Sequence, residues 1–434
     1  MTLHPIVERA RRHLTPALVI DWPLAVVRAE GPYVYDADGK AYLDFASGTA
    51  VANVGHRPPR VLEALRRQMD RLIHAGCTYY FEALAELGER LAQVMPGDID
   101  TFFFSNSGAE AVEGAIKLAK YVTGRPAVIA FEGAFHGRTL ACISLTTSAV
   151  KFRRRYAPLL PEVYHVPFPN PYRFEGTPDE CVQATIDALY RLFETRVPPE
   201  AVAAILVEPV QGEGGYVVPP LSFLRELRRV CDEHGILLVL DEVQTGFGRT
   251  LRWFACEHSG VVPDVMAVAK GIASGLPLSA VCAPRRIMEQ WSPGAHGTTF
   301  GGSPLACAAA IATIDTIRED RLLEKGQALQ PGMMEGLRRL QEKYECLGDV
   351  RGLGYMVGLE FVRDRRSKRP WGELVRRVLE NALADGLLLI SCGRYGNVIR
   401  WIPPLVVEPE HVERAIQVLD RAIERALREI GGNG

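Results

Sequence analysis

Short, uniformly apolar runs recur along this chain, each followed by a stretch in which apolar residues return every three or four positions. The runs at 101–104, 127–131, 201–207, 235–241 and 265–269 are rich in Val, Ile, Leu, Phe and Ala and show little alternation. Such runs read as strands covered on both faces. The stretches to about 123 and at 221–234 carry the helical period and read as amphipathic helices. Between 151 and 199 the pattern is Pro- and aromatic-rich and predicts a loop with one helix. Repeated strand–loop–helix units predict an α/β fold with a mostly parallel sheet covered on both faces.

The flanks are patterned differently. Residues 1–30 predict a helix and then an extended arm over 18–29. Residues 31–45 alternate on either side of Asp36-Ala37-Asp38-Gly39, which predicts a hairpin. A small-residue stretch at 46–56 leads to helices over 60–74 and 81–94. A helix at 305–318 leads out of the sheet region. The remainder predicts helices near 326–343, 371–385 and 409–429, with strands at 354–361, 386–391 and 398–401. The expected division is an N-terminal segment (1–56) contributing to a small domain, a large domain (57–319) and an α+β small domain (320–434).

Composition narrows the class without changing the fold. A chain of 434 residues, 47% hydrophobic and 24% charged, suits a globular protein of two or three domains. A net charge of −2 gives no electrostatic case for nucleic acid or an anionic membrane as partner. Nine cysteines without a Cys-x-x-Cys pair argue against a disulfide framework and a zinc site. The histidines show no ligand-spaced cluster, so no metal is expected. No signal-peptide pattern and no membrane-length apolar run is present, which makes the cytoplasm the expected compartment.

The candidate chemistry lies where strands end. Lys270 follows Val265–Ala269 and precedes Gly271. An ammonium at the end of a buried strand is expensive, so such a lysine is kept neutral or tied up as an imine with a carbonyl cofactor. Asp241 ends the preceding apolar run. In open α/β sheets ligands sit at the carboxyl ends of strands, which places both residues on one crevice. A carboxylate there can keep a pyridine nitrogen protonated, the electron-sink arrangement of pyridoxal phosphate enzymes. Upstream, Ser105-Asn106-Ser107-Gly108-Ala109-Glu110 opens a helix after a strand, a turn that suits either a phosphate or an ordinary cap.

Seven segments, in order, then resemble the class III (subgroup II) pyridoxal-phosphate aminotransferases: SNSGAEAVE, FEGAFHGRT, VEPVQGEGG, LLVLDEVQTGFGRT, PDVMAVAKGIASGLPLSA, TTFGGSPLACAA and YGNVIRWIPPL. The resemblance spans residues 31 to about 404. Within the class, CGRYGNVIRWIPPL looks most like the 4-aminobutyrate (GABA) aminotransferases, with acetylornithine and ornithine aminotransferases next. It implies the aspartate-aminotransferase-like fold (fold type I), with a seven-stranded, mostly parallel sheet in the large domain.

The resemblance also implies roles. Lys270 carries pyridoxal 5'-phosphate as a Schiff base and then moves the proton, and Asp241 pairs with the pyridinium nitrogen. Phe135 and Val243 flank the ring, Gln244 binds its 3′-oxygen, and Ser107, Gly108 and Ala109 bind the phosphate. His136 and Glu208 are counted with the cofactor-binding residues. Thr299 matches a threonine that reaches the phosphate of a neighbouring subunit, which implies at least a homodimer. Arg400 matches the arginine that grips an α-carboxylate, and Glu213 the acid that neutralises it when an ω-amine is bound. Arg138 matches the arginine that holds the distal carboxylate. Thr49 departs from the family, which usually carries a bulky aliphatic residue there, and weakens the case for a strict four-carbon substrate.

The implied reaction moves an amino group from a 4-aminobutyrate-like amino acid to 2-oxoglutarate by a ping-pong route. An amino-acid racemase or epimerase uses the same lysine, and an acetylornithine or ornithine aminotransferase the same motifs. A non-catalytic sensor of the cofactor would need a basic helix-turn-helix ahead of the fold, for which residues 1–30 are too short.

Overall fold

The computed structural model describes residues 3–431, so residues 1–2 and 432–434, at the ends of the first and last predicted segments, lie outside the described residues. A seven-stranded sheet runs in the order Thr101–Ser105, Ser279–Ala283, Val265–Val268, Leu237–Asp241, Val202–Val207, Ala127–Phe131 and Val163–Val166. Only Ser279–Ala283 opposes its neighbours; the rest are parallel. The central strands are buried along almost their whole length, which explains their unbroken apolar runs.

Two of these strands were not predicted. Ser279–Ala283 reads SAVCA, small residues of modest strand preference that pair only because strands flank them on both sides. Val163–Val166 lies in the stretch expected to hold only a loop and a helix. It is one of the two edge strands, held by Ala127–Phe131.

Two four-stranded sheets complete the fold. The predicted hairpin pairs Tyr33–Asp36 with Ala41–Asp44, and the extended arm ends in a third strand, Val26–Glu30. Leu387–Leu388 joins this sheet in parallel. The other sheet holds Leu347–Leu353, Met356–Phe361, Val398–Trp401 and Ile390–Cys392. The single strand expected at 386–391 is therefore split between two sheets. At the break the Leu389 carbonyl accepts a hydrogen bond from Trp22 Nε1 at 2.9 Å.

Helix boundaries also shift. The helix predicted over 60–74 is Pro59–Met69, because Ile73 is 59% exposed and finds no core to hold a further turn. The C-terminal helices are Leu322–Lys343, Gly372–Ala384 and Pro409–Gly431. The small-residue stretch at 46–56 contains a left-handed turn, with φ of 47°, 59°, 65° and 64° at Ser47, Gly48, Thr49 and Ala50. Left-handed backbone costs an L-residue roughly 1–2 kcal/mol. Asp44 Oδ1 offsets it by accepting the Ala46 and Ser47 amides at 2.9 Å each, and Ser47 Oγ donates to the Ile402 carbonyl at 2.6 Å. No helix among the described residues is long and apolar enough to cross a membrane.

Candidate active site

Parallel strands end together, so the loops that follow them meet at one edge of the sheet. Here those loops carry Asn106–Ala109, Phe135–Gly137, Glu208, Asp241–Thr245 and Lys270, and they surround a cavity of about 350 Å3. Lys270 follows its strand with φ at 48°, and a short 3-10 turn, Lys270–Ala273, begins at it. Gly271 is required behind it, since a Cβ there would sit 2.3 Å from Asn53 Nδ2.

The floor is a closed set of charges. His136 Nδ1 donates to Asp241 Oδ2 at 2.8 Å, and the Val243 amide donates to Asp241 Oδ1 at 3.0 Å. Glu208 accepts the amides of Phe135 at 2.9 Å and Gly212 at 2.8 Å. Burial opposes charge on His136, but the bond to Asp241 and the charges of Asp241 and Glu208 outweigh it and raise its pKa. Burial pushes Glu208 up to about 7, against the pull of His136. For Lys270, burial comes first and the Arg400 charge second. Together they lower its pKa to about 8, although Asp241, Glu208 and Glu213 pull the other way. An amine so tuned can take up and release a proton near neutral pH.

The neighbouring acid, Glu242, points away into the core. It accepts the amides of Ala255 at 3.0 Å and Cys256 at 2.8 Å and the Thr245 hydroxyl. The Asp241-Glu242 pair thus divides its work, one acid for the cavity and one for the loop behind it.

At the far side the helix Gly108–Thr123 starts with a capping box. Glu110 takes the amides of Asn106 and Ser107 and the Ser107 hydroxyl. The amides of Gly108 and Ala109, at the positive end of the helix, have no partner among the described residues. A Cβ at Gly108 would lie 2.8 Å from Val243 Cγ1, so only glycine leaves this approach open. Gln244 Oε1 and His136 Nε2 are also buried without partners. An amine, an anchored carboxylate, free helix amides and unsatisfied polar atoms around one cavity fit pyridoxal phosphate. Among the described residues no group of three or more His, Cys, Asp or Glu is placed to hold a metal ion.

Beside Lys270, Arg400 Nη2 donates to Glu213 Oε2. Arg400 is 4% exposed, while Glu213 lines the cavity. The arginine therefore stands behind its acid. Tyr216 lies under the guanidinium, 5.6 Å from ring centre to Cζ. Burial opposes the Arg400 charge, but Cys392, Tyr216 and Glu213 more than restore it.

Three further expected residues lie outside the cavity wall. Arg138 is exposed, its Cζ 4.6 Å from the centre of the Phe152 ring and 6.0 Å from that of Phe135, which does line the cavity. Thr299 is exposed and does not line this chain's own cavity. Thr49 sits in the left-handed turn, and Val51 takes the place on the wall. The sequence reading also passed over Gly275–Leu278, which closes one side. Those residues stood inside the Lys270 segment, but nothing in their types marked them as a wall.

Comparison with known proteins is consistent along the chain. The family model described as "Aminotransferase class-III" matches residues 17–423. An alanine/serine racemase of Pyrococcus horikoshii is 39% identical over 97% of this chain and 90% of its own length. The 5-aminovalerate aminotransferase DavT of Pseudomonas aeruginosa is 41% identical over 92% of each. A thermostable (S)-enantioselective ω-transaminase from Thermomicrobium roseum superposes with a TM-score of 0.91 at 34% identity, covering 97% of this chain and 98% of that one. With that match over nearly its whole length and the cavity built around Lys270, the chain belongs to the class-III aminotransferases, enzymes of fold type I that depend on pyridoxal phosphate.

Proposed function

We propose that this chain moves an amino group from an ω-amino acid of the 4-aminobutyrate kind to 2-oxoglutarate in two half-reactions. The observation that carries this reading is the closed Glu213–Arg400 pair beside Lys270. With its charge taken by Glu213, Arg400 offers no grip to an α-carboxylate, and the cavity suits an amine donor that has none. A dicarboxylate partner frees Arg400 by displacing Glu213, and a planar guanidinium then meets a planar anion in a bidentate fork. Arg138, at the rim without a carboxylate partner among the described residues, takes the distal carboxylate of either substrate.

When bound, pyridoxal phosphate supplies an electron sink that lets a substrate C–H release its proton. Lys270 accepts and returns that proton at Nζ, which its lowered pKa favours. Asp241 would hold the ring nitrogen, and His136 fixes the Asp241 carboxylate. Gly108 and Ala109 would hold the phosphate with their free helix-end amides, and Ser107 would join them only by giving up its bonds to Glu110. Phe135, Val243 and Gln244, which line the cavity, would hold the ring and its oxygen. Glu208 ties the Phe135 and Gly212 loops together.

Racemisation is the second reading, favoured by the Pyrococcus racemase that spans 97% of the chain. A single-turnover experiment separates the two. With 4-aminobutyrate alone, transamination bleaches the yellow cofactor absorbance and releases succinic semialdehyde. Unchanged absorbance, with L-alanine or L-serine losing optical rotation, would replace transamination by racemisation.

A further inference from the structure

The loop that carries Glu213 is held by a second arginine that the reaction itself does not use. Arg351 Nε donates to the Tyr216 carbonyl at 2.9 Å, and its Nη2 donates to the Gly215 carbonyl. Two successive carbonyls face one guanidinium because the backbone there is unusual, with φ of 124° at Gly215 and 50° at Tyr216. Arg351 is itself anchored, with Nη1 2.7 Å from Asp349 Oδ2 and 2.7 Å from Glu360 Oε2. Glu360 is braced in turn by Arg173. Burial works against the Arg351 charge, but Glu360 and Asp349 more than compensate, so the hydrogen bonds to the loop are charge-assisted.

Sheet register ties this clamp to the substrate arginine. Arg351 pairs with Gly358, and Gly358 pairs with Arg400 on its other side. Directly opposed residues project to the same face of a sheet, so the two arginines flank the glycine. Tyr216 occupies the gap: a Cβ at Gly358 would lie 2.8 Å from Tyr216 Cβ. One arginine holds the loop's main chain, the other holds its Glu213, and the Glu213 carbonyl accepts the Gly393 amide at 2.9 Å.

We infer that Arg351 is a positioning residue that sets how readily Glu213 leaves Arg400, and so sets the balance between substrates with and without an α-carboxylate. The inference rests on the Glu213–Arg400 reading above. Releasing the loop weakens the closed arrangement and leaves Arg400 uncovered. The half-reaction of a donor without an α-carboxylate suffers, while that of an α-amino acid, which displaces Glu213 anyway, is spared.

The test is single-turnover cofactor bleaching by 4-aminobutyrate and, separately, by L-glutamate, each without a keto acid. The variants are Arg351→Met, Arg351→Lys and Gly358→Ala, with Glu213→Ala as reference. The expected result is that Arg351→Met and Gly358→Ala slow the 4-aminobutyrate half-reaction about tenfold more than the glutamate half-reaction, a differential of about 1.4 kcal/mol. Arg351→Lys, which keeps the charge, recovers most of the difference. Should Arg351→Met fail to fold, Arg351→Lys and Gly358→Ala still carry the comparison. Equal slowing of both half-reactions in these variants, with Glu213→Ala selective, overturns the role of Arg351 alone. Equal slowing in Glu213→Ala overturns the gate and this inference with it.

Discussion

The floor of the cavity and its gate are both built from buried charge, yet they are wired in opposite ways. On the floor, Asp241 and Glu208 each accept main-chain amides from loops next to their own strands, and His136 closes the set. Nothing there can move without breaking several hydrogen bonds at once. At the gate, Glu213 and Arg400 come from different sheets' loops and strands and are joined by their side chains, with Arg400 Nε left unpaired. A half-buried charge pair of that kind stays closed only while each partner lacks a better one. The difference suits the proposed function, in which the floor holds the cofactor still and the gate exchanges partners.

Another buried arginine sharpens the point. Arg249 is 0% exposed and donates to Asn53 Oδ1 and the Pro403 carbonyl, at 2.6 Å each. Its partners are neutral, and burial lowers its pKa to about 10. No carboxylate can leave it, so it ties three segments of chain together permanently. Arg400, with an anionic partner at the cavity wall, is the one that can switch.

The strongest way to break the comparison is to remove the amine on the floor. Lys270→Ala should lower the rate of either half-reaction by about 10^4-fold, the upper range for losing a general acid–base group. Stopped-flow absorbance with 4-aminobutyrate and with glutamate checks it. A loss confined to one substrate would move Lys270 from the floor to the gate.

Next in size is Asp241→Ala, which leaves the buried His136 ring without its hydrogen-bond partner. The expected cost is about 1–3 kcal/mol in the stability of the cofactor-free protein, read by urea unfolding. A cost near zero would mean that the floor is not held by its charges.

The smallest effect is a shift in pH dependence. Lys270 has a folded pKa of about 8 against an ordinary 10.5, so the unfolded chain binds this proton more tightly. The cofactor-free protein therefore gains stability from this group as pH rises from about 8 to 10.5. Below pH 8 its rate of cofactor uptake should rise about tenfold per pH unit and level off above, as the neutral amine fills. Glu213→Ala removes a charge that raises the Lys270 pKa, so the midpoint should move down. An unmoved midpoint would show that gate and floor do not sense each other.

The floor was legible in the sequence because its residues sit at fixed offsets from strand ends. Lys270, Asp241 and Glu208 each follow an apolar run, and the helix that opens at Gly108 follows another. Parallel strands alone bring such positions together. Arg351 and Val51 carried no comparable signal. Arg351 matters only because a single strand, that of Gly358, separates its strand from that of Arg400, and Val51 only because a left-handed turn presents it in place of Thr49. The split of 386–391 between two sheets was equally hidden, since both halves are apolar.

By itself, then, the chain's pattern determined the α/β class, the strand–helix alternation and the lysine and carboxylate at the sheet edge, because burial on both faces leaves a continuous apolar run that ends where polar chemistry begins. Only the tertiary structure decided that Glu213 covers Arg400, that Arg351 holds the loop between them and that Arg138 and Thr299 stay off the cavity wall. Those relations join residues far apart in sequence through sheet register and loop backbone, and no local periodicity encodes them.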